Sequence, residues 1–378
     1  MGDLPIQPQL RRFMYAKAAC NRMPLSGTFE LTPRCNMNCR MCYIRLSEEQ
    51  MCARGRERSA EEWIALGREC AQQGMLFLLL TGGEPFLRKD FRQIYTELKK
   101  LGLLITINTN ATLIDEETVA WLREDAPAKV NVTLYGGCNE TYRRLCGHPT
   151  GFDAATRAVD LLLRAGILVN INVSLTQHNL QDLPAIAQFG KSRGIQVNPA
   201  AYMFPPVRRQ GEVDDAVRLS AEEAGGARAV AEILTAEDAV LERRLRALHA
   251  GCPTESADED CTRTTDEKMG CTAGKASFWV TWDGNMTPCG LMPQPSVLPF
   301  DTGFEPAWQE LCSQTERIYL PPECGGCKMR AHCMICGALS MAEGAGDSRQ
   351  KPEYLCRMTQ TYLQRMEEEF GRRFSENQ

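Results

Sequence analysis

A repeated alternation of short apolar runs and amphipathic stretches, between residues 28 and 202, constrains the fold more than any other feature. Six apolar runs have the length and the β-branched content of strands, and helical stretches separate them. Strands that alternate with helices form a parallel sheet, and the functional loops follow the carboxyl ends of its strands. The predicted strands are 28–32, 76–82, 103–109, 129–135, 168–175 and 195–200, and the predicted helices are 59–74, 90–102, 115–124, 152–166 and 183–194. This periodicity leaves open whether the sheet curves into a partial barrel or stays open.

The pattern changes after residue 202. Residues 219–251 read as helical with an interruption at Gly225 and Gly226, and residues 252–271 are polar and acidic, as in a loop. Residues 271–356 are rich in cysteine, glycine and proline, so we expect a poor hydrophobic core there and a need for bound metal. A predicted helix, 354–374, ends the chain. We therefore divide the chain into an N-terminal segment, an α/β domain, a helical connection, a cysteine-rich domain and a terminal helix, at 1–27, 28–210, 211–270, 271–356 and 357–378.

The 18 cysteines among 378 residues indicate metal or redox chemistry, because a long chain without a secretory signal does not normally carry a disulfide framework. The N-terminus lacks the apolar core of such a signal, and the longest apolar run, 74–80, is too short to span a bilayer. The net charge of −5 gives no general reason to expect a nucleic acid or an anionic membrane as partner. We therefore expect a cytoplasmic protein with neither of those partners.

Three cysteines, Cys35, Cys39 and Cys42, follow the first predicted strand in the spacing C-x3-C-x2-C. Three thiolates can hold three irons of a [4Fe–4S] cluster and leave the fourth iron open to another ligand. A structural cluster or zinc site normally takes four protein ligands, whereas an open position is what a catalytic metal keeps. The spacing therefore indicates a catalytic cluster, and the alternative is a zinc site completed by another cysteine or histidine.

Polar motifs follow the next three predicted strands. The run GGEP, residues 82–85, follows the second strand, Asn108 and Asn110 end the third, and Thr133 lies at the end of the fourth. Paired glycines allow the main chain to approach a ligand closely, and a glutamate can face an ammonium group. For each of these polar residues the alternative is an ordinary hydrogen bond at a strand end.

With these motifs, the C-x3-C-x2-C loop resembles the signature of the radical S-adenosylmethionine (radical SAM) superfamily. The resemblance implies an α/β fold, a partial (β/α)6 TIM-like barrel. It also implies an enzyme that binds SAM at the open iron and reductively cleaves it to a 5′-deoxyadenosyl radical. The residues that would contact SAM are Gly82, Gly83, Glu84, Pro85, Asn108, Asn110, Thr133 and Met41. Met41 would lie near the adenine, or would simply fill the core.

A second cysteine array reads Cys271-x12-Gly284-x4-Cys289, then Cys324-x2-Cys327-x5-Cys333-x2-Cys336, then Cys356. It resembles the SPASM extension of radical SAM enzymes, except that two residues separate the last pair where the family has three. The resemblance implies a small C-terminal domain with two auxiliary [4Fe–4S] clusters, and so three clusters in the chain. The outer cluster would be held by Cys324, Cys327, Cys333 and Cys356, and the inner one by Cys271, Cys289, Cys336 and either Cys261 or Cys252. A pair of zinc knuckles is the alternative, because C-x2-C pairs are common in zinc sites.

Within the family that this chain resembles, most substrates are peptides or proteins. We therefore expect an oxidoreductase that forms a crosslink or a thioether in a ribosomally made precursor peptide. The alternatives are formylglycine formation on a protein, radical modification of a small molecule, and a non-enzymatic electron-transfer protein. Formylglycine formation is less favoured, because Gly290 follows Cys289 where the sulfatase-maturing branch carries an aspartate.

The expected partners are a peptide or protein substrate and a reductant such as flavodoxin or ferredoxin. Few residues precede the first strand, so a leader peptide would be held by a separate protein or by the barrel itself. The sequence does not identify the base of a peptide reaction. Candidates on the rim of the sheet, each of which can equally be structural, are Tyr135, Tyr202, Asp301 and Glu305.

Overall fold

The computed structural model describes residues 6–205, 217–250 and 267–374. At its centre is one eight-stranded sheet with the strand order β6-β5-β4-β3-β2-β1-β7-β8. The strands are β1 (Ser26–Glu30), β2 (Phe77–Thr81), β3 (Leu104–Thr109), β4 (Lys129–Thr133), β5 (Val169–Ser174), β6 (Val197–Ala200), β7 (Ser277–Val280) and β8 (Met286–Thr287). Strands β1 to β6 are parallel, lie in chain order and leave β6 at an edge. This open (β/α)6 arrangement is a partial barrel, so the predicted fold class is confirmed.

Sequence signals mark the ends of some helices. Helix α3 begins after Ser59, whose hydroxyl accepts a hydrogen bond from the main-chain N–H of Glu62, and Glu62 caps Ser59 in return. Helix α8 ends at Gly194, whose φ of 65° is left-handed and suits glycine. No helix in the described ranges has both the length and the apolar character that a bilayer crossing requires. The helices are α1 (Ile6–Cys20), α2 (Glu48–Arg54), α3 (Ala60–Gln72), α4 (Phe91–Lys99), α5 (Glu116–Glu124), α6 (Asn139–Cys146), α7 (Gly151–Arg164), α8 (Leu183–Arg193), α9 (Ala221–Thr235), α10 (Asp238–His249), α11 (Pro299–Thr302), α12 (Phe304–Thr315), α13 (Gly337–Glu343) and α14 (Glu353–Phe374).

The two faces of the sheet differ in polarity. Side chains that point towards the helices are apolar and fully buried, such as Ile107 and Val132. On the same face, the ring of Phe29 packs against Trp63 of α3 with centroids 5.0 Å apart. Side chains on the opposite face, called here the inner face, are half-buried and mostly polar. Those on β1 and on β3 to β6 include Thr28, Thr106, Asn108, Asn131, Thr133, Asn170, Asn172, Ser174 and Asn198.

The sheet continues into the cysteine-rich segment. Strand β7 pairs in parallel with β1, with Ser26 opposite Ser277, and β8 returns antiparallel to β7. This segment also contributes Phe278, Phe304 and Trp308 to the main hydrophobic core. The expectation of a poor core in residues 271–356 is therefore wrong for the first part of that segment, because pairing with β1 gives its apolar side chains a surface to pack on.

Six of the described helices lie where the sequence predicted no element, namely α1, α2, α6, α11, α12 and α13. Helix α1 packs against the sheet through Tyr15, whose ring stacks on Phe77 at the start of β2 with centroids 5.9 Å apart. Helices α2 and α6 are only 7 and 8 residues long. Their apolar stripes are too short for periodicity to reveal, so only tertiary packing identifies them.

Helix α9 runs without interruption through Gly225 and Gly226, contrary to the expected break. A Cβ at Gly225 would overlap the main-chain oxygen of Met358 on α14 and would lie 2.8 Å from the Cβ of Thr361. A Cβ at Gly226 would meet no atom within 4 Å. Gly225 is therefore needed for close contact between α9 and α14, and the helical segment is interrupted at Ala236 instead.

Alanine at these two glycines should have opposite effects on stability. We expect Gly225→Ala to lower the free energy of unfolding by about 2 kcal/mol, because the added methyl group forces α14 away from α9. We expect Gly226→Ala to raise it by up to about 1 kcal/mol, because alanine favours the helix and meets no obstacle. Urea unfolding followed by far-UV circular dichroism measures both values. Equal effects of the two substitutions would contradict the packing assigned to Gly225.

Candidate active site

The three cysteines of the C-x3-C-x2-C motif follow the carboxyl end of β1 and line one cavity. Gly82 and Gly83, which follow β2, line the same cavity from the neighbouring strand. The structure thus brings together motifs that the sequence placed at separate strand ends. The rest of the lining comes from the cysteine loop and from the ends of β4, β5 and β6, namely Met37, Met41, Tyr43, Ile44, Tyr135, Ser174, Leu175, Ala200, Tyr202, Met203 and Phe204.

Main-chain hydrogen bonds hold the cysteine loop on the last turn of α6. The N–H of Asn38 donates to the carbonyl oxygen of Cys146 at 2.8 Å, and the N–H of Arg40 donates to that of Leu145 at 3.0 Å. The last carbonyl groups of a helix have no partner within the helix, and these bonds satisfy two of them. The shape of the loop is therefore fixed by a secondary-structure element outside the motif.

The sulfur atoms of the loop accept hydrogen bonds. The N–H of Met37 lies 3.4 Å from the Sγ of Cys35, and the N–H of Arg45 lies 3.2 Å from the Sγ of Cys42. Burial raises the pKa of Cys35, and the nearby thiols of Cys39 and Cys42 add to the rise. Donors aimed at sulfur, together with thiols close to one another, fit a site that binds metal through thiolates.

Cys39 has a neighbour that the sequence did not single out. The thiol of Cys146, at the end of α6, lies close to that of Cys39, and this neighbour together with burial raises the pKa of Cys39 well above its ordinary value. The side chain of Cys146 is fully buried. No motif surrounds this residue, so only the packing of α6 against the cysteine loop reveals that it lies beside the site.

The GGEP turn packs directly against the cysteine loop. The N–H of Gly83 donates to the carbonyl oxygen of Thr32 at 2.7 Å, and that of Glu84 donates to the carbonyl oxygen of Arg34 at 2.8 Å. A Cβ at Gly82 would lie 2.6 Å from the Thr32 oxygen, and a Cβ at Gly83 would overlap the Arg34 oxygen. The two glycines are therefore required for contact between two loops of the protein, in addition to any approach to a ligand.

Glu84 is fully buried, and its carboxylate is turned towards the end of β3. It accepts hydrogen bonds from the hydroxyl of Thr109 at 2.8 Å, from the N–H of Asn110 at 2.8 Å and from the N–H of Phe86 at 3.1 Å. Burial raises the pKa of Glu84 to about 7, although these bonds oppose the shift. The carboxylate thus joins the loops after β2 and β3, and its contact with an ammonium group stays a prediction.

Among the residues that the resemblance assigned to SAM, Met41, Gly82 and Gly83 line the cavity. The amide oxygen of Asn108 instead accepts a hydrogen bond from Asn131 at 2.7 Å on the inner face. The others, Glu84, Pro85, Asn110 and Thr133, are not part of its lining. Contact with SAM stays a prediction for all eight residues.

No charged side chain lines the cavity within the part of the chain that the structure describes. Its polar groups are the hydroxyls of Tyr43, Tyr135, Ser174 and Tyr202. Tyr43 and Phe204 meet edge to face with ring centroids 4.8 Å apart, which connects the cysteine loop to the segment after β6. The sequence missed Tyr43, Ser174 and Phe204 as site residues, because periodicity shows neither which loop positions nor which strand ends meet at a cavity.

Two of the four rim candidates for a base lie at the site. Tyr135 and Tyr202 line the cavity, whereas Asp301 and Glu305 are exposed on α11 and α12 and lie outside its lining. The hydroxyl of Tyr202 donates to the carboxylate of Glu343, the last residue of α13, at 2.6 Å. Tyr202 therefore connects the cavity wall to a helix of the cysteine-rich segment.

The cysteines of the second array form two groups in space. The pKa of Cys324 is raised to about 11, mainly by burial and further by nearby thiols, those of Cys356, Cys333 and Cys327. The pKa of Cys289 is also raised to about 11, mainly by burial and further by the thiols of Cys336 and Cys271. These groups have the membership that the SPASM resemblance implies, and their roles as ligands stay predictions. Cys261 and Cys252 lie outside the described residues.

The donor chemistry of the cysteine groups fits iron–sulfur clusters. Within the described ranges, no three histidine, cysteine, aspartate or glutamate side chains converge as ligands of a single metal ion. A cluster differs from a single ion because each thiolate binds its own iron, so the sulfur atoms stand further apart. Thiolate ligands without carboxylates are typical of such clusters.

Comparison with known proteins identifies the first part of the chain. The model of the radical SAM superfamily matches residues 29–190. Fe-coproporphyrin III synthase of Methanosarcina barkeri is 34% identical over 158 residues, which cover 42% of this chain and 39% of that protein. An AdoMet-dependent heme synthase of Oleidesulfovibrio alaskensis is 24% identical over 352 residues, 86% of this chain and 85% of that protein. The sporulation killing factor maturation protein SkfB of Bacillus subtilis is 25% identical over 311 residues, 81% of this chain and 69% of that protein.

Two solved structures share the fold over most of both chains. SuiB of Streptococcus suis bound to S-adenosylmethionine aligns with a TM-score of 0.64 at 17% identity, covering 94% of this chain and 84% of that chain. The protein anSMEcpe with bound AdoMet aligns with a TM-score of 0.66 at 17% identity, covering 92% of this chain and 98% of that chain. Residues 29–190 are thus a radical SAM domain, and the chain that carries this domain is an enzyme.

Proposed function

We propose that this enzyme oxidatively modifies a peptide, with SAM and a [4Fe–4S] cluster as its cofactors. Cys35, Cys39 and Cys42 would hold the cluster, and Gly82 and Gly83 would lie against SAM. When bound, these cofactors supply a 5′-deoxyadenosyl radical that removes a hydrogen atom from the substrate. The protein's own part is to hold the reacting groups in place and to exclude water.

The cavity walls suit the exclusion of water. Met37, Met41, Met203 and Phe204 present apolar surface to the cavity, and the described lining carries no charged group that would retain a hydration shell. A water-excluding wall protects a reactive species from side reactions. The described residues of the cavity therefore favour radical chemistry over acid–base hydrolysis.

The amide-rich surface below the cavity carries the assignment of a peptide as substrate. Side chains two or four positions apart on a strand share a face. On the inner face, Asn172 therefore lies below Ser174 and Asn198 below Ala200, and Asn131 lies on β4, the strand that leads to Tyr135. An asparagine side chain carries the same kinds of donor and acceptor as a peptide bond. These side chains can therefore pair with the main chain of a peptide through their amide groups.

The asparagines of the inner face keep hydrogen-bonding capacity for a substrate. The amide of Asn131 donates to Asn108 at 2.7 Å, and that of Asn198 donates to Asn172 at 3.4 Å. Each amide offers two donor hydrogens and an acceptor with two lone pairs, so these bonds use only part of what is present. The side chains are half-buried, which leaves them accessible from the open side of the partial barrel.

An oxidative modification releases an electron, and the cysteine-rich segment is suited to accept it. We propose an outer auxiliary cluster on Cys324, Cys327, Cys333 and Cys356, and an inner one on Cys271, Cys289 and Cys336, with Cys261 or Cys252 as the remaining ligand. Helix α13 begins directly after Cys336 and ends at Glu343, which contacts Tyr202 of the cavity wall. The inner group therefore lies on an element that reaches the cavity.

A tetrapyrrole is the second candidate substrate, because an AdoMet-dependent heme synthase matches along most of the chain. The propionate carboxylates of a tetrapyrrole would require arginine or lysine partners, and the described lining of the cavity provides neither. Formylglycine formation finds less support. A Cβ at Gly290 would lie 3.0 Å from the ring of Trp279, so an aspartate after Cys289 would require this ring to shift by a few tenths of an ångström.

Product analysis with defined substrates tests this function. The enzyme is loaded with iron and sulfide without oxygen, then incubated with SAM, dithionite and one substrate. The substrates are the short peptides encoded beside its gene, Fe-coproporphyrin III, and a cysteine-containing sulfatase peptide. Mass spectrometry should show loss of hydrogen from an encoded peptide. A change in Fe-coproporphyrin III alone would replace this proposal with the second candidate.

The predicted partners can be tested in the same reaction. Flavodoxin or ferredoxin, each with its reductase, replaces dithionite to test the expected reductant. A requirement for an additional protein encoded beside the gene would support a separate leader-peptide-binding partner.

A further inference from the structure

Asn110, which directly follows β3, belongs to a polar network behind the cysteine loop. Its side chain is only 4% exposed. Its Nδ2 atom donates to the Oδ1 of Asn36 at 2.9 Å and lies 3.7 Å from the Sγ of Cys35, within the range of hydrogen bonds to sulfur. Its Oδ1 atom accepts from the N–H of Thr112 at 3.0 Å and from the Thr112 hydroxyl at 2.7 Å.

The network closes on itself and fixes the direction of the Asn110 amide. The Nδ2 of Asn36 donates to the hydroxyl of Thr112 at 2.8 Å, so Asn110, Asn36 and Thr112 form a ring of hydrogen bonds. Reversing the Asn110 amide would place its NH2 group against two donors of Thr112 and its oxygen against the oxygen of Asn36. The arrangement with N–H groups towards Cys35 is therefore the one that satisfies every partner.

We propose that Asn110 is a positioning residue whose amide N–H donates to the Sγ of Cys35 and thereby raises the reduction potential of the cluster held there. This inference rests on the proposed function, because it requires a cluster on Cys35, Cys39 and Cys42. A cluster carries more negative charge after reduction, so a donor aimed at one of its sulfur ligands stabilises the reduced form more than the oxidised form. Hydrogen bonds to the sulfur atoms are among the factors that set the potential of such clusters.

The position of this donor makes its effect large. The side chain is buried, and a hydrogen bond in a region of low dielectric constant is electrostatically stronger than one in water. The donors from Met37 and Arg45 belong to the main chain, so a substitution does not remove them. Asn110 is a side-chain donor to this loop and can be replaced.

A redox titration followed by electron paramagnetic resonance, without substrate, tests the inference. The cluster under study is identified in each protein by the signal that changes when SAM is added. Asn110→Leu removes the donor, and Asn110→Asp removes it while keeping the shape and the oxygen that Thr112 requires. Thr106→Val is the matched control, because Thr106 lies on β3, the strand that leads to Asn110, and belongs neither to the cavity lining nor to the residues assigned to SAM.

At the midpoint potential of the wild type, we expect the ratio of reduced to oxidised cluster to be roughly tenfold lower in both Asn110 variants. This ratio corresponds to a midpoint potential about 59 mV more negative for a one-electron couple. Thr106→Val should titrate as the wild type does. Unchanged potentials in both Asn110 variants at equal iron content would overturn the inference and leave the proposed function standing. An equal shift in Thr106→Val, or loss of the cluster from both Asn110 variants, would also overturn it. Absence of a SAM-responsive signal from the wild type would instead contradict the proposed cluster itself.

Discussion

Cys42→Ala should reduce the formation of 5′-deoxyadenosine from SAM to the level of a reaction without enzyme. The substitution leaves two cysteines in the loop, too few to hold three irons of the cluster. The iron content should fall by about four from about twelve per chain, the amount expected for three [4Fe–4S] clusters. Chromatographic assay of 5′-deoxyadenosine and colorimetric iron analysis of the anaerobically reconstituted protein measure both quantities.

Cys52→Ala is the matched control for this experiment. Cys52 is exposed on α2, shortly after the motif, and lies outside the lining of the cavity. We expect this variant to keep wild-type iron and wild-type cleavage of SAM. Undiminished cleavage by Cys42→Ala would contradict the assigned ligand set. About four irons per wild-type chain, together with bound zinc, would support zinc knuckles in the cysteine-rich segment.

Gly83→Ala should detach the cysteine loop from the loop after β2. The new methyl group would overlap the carbonyl oxygen of Arg34, and the main chain on both sides is held by hydrogen bonds. We expect a loss of about 3 kcal/mol in the free energy of unfolding, the upper end of the usual cost of overpacking, because the obstacle is main chain and not a flexible side chain. The cluster of the cysteine loop should also be lost, since the loop would no longer present its sulfur atoms to one cavity.

Urea unfolding and iron analysis of Gly83→Ala measure these two effects. Gly226→Ala provides the control, because it also adds a methyl group to a glycine but meets no atom within 4 Å. A Gly83→Ala protein with wild-type stability and wild-type iron would show that the two loops are not tightly packed. In that case, only a close approach of the main chain to a ligand would explain why residues 82 and 83 are glycines.

The sequence predicted the barrel well because each strand and helix of that region has its own periodic pattern. The predicted helix 115–124 corresponds to α5, Glu116–Glu124, and the predicted strand 103–109 corresponds to β3, Leu104–Thr109. Strands β7 and β8 were missed, because four and two residues are too few to show a period. The break expected at Gly225 was wrong, because a glycine inside a helix can serve close packing as well as termination.

The candidate site could be predicted where its chemistry requires particular residues at a fixed spacing. The cysteine motif and the GGEP run both end at one cavity. Residues that act through contacts between elements gave no such signal. Cys146 lies beside Cys39 only because α6 packs under the loop. Asn110 was noticed for its position at a strand end, but its bond to Cys35 depends on a ring of partners from two loops.

Strand β1 pairs with β7, with Ser26 opposite Ser277. Because about 250 residues separate these partners in the chain, β1 is translated long before β7. During the interval, one side of β1 exposes main-chain donors and acceptors that no later barrel strand can satisfy. An open strand edge of this kind recruits other chains, and partly made proteins are most prone to aggregate at such points. A chaperone that shields β1 on the ribosome would therefore raise the yield of active enzyme, and slow translation of the C-terminal region would lower it.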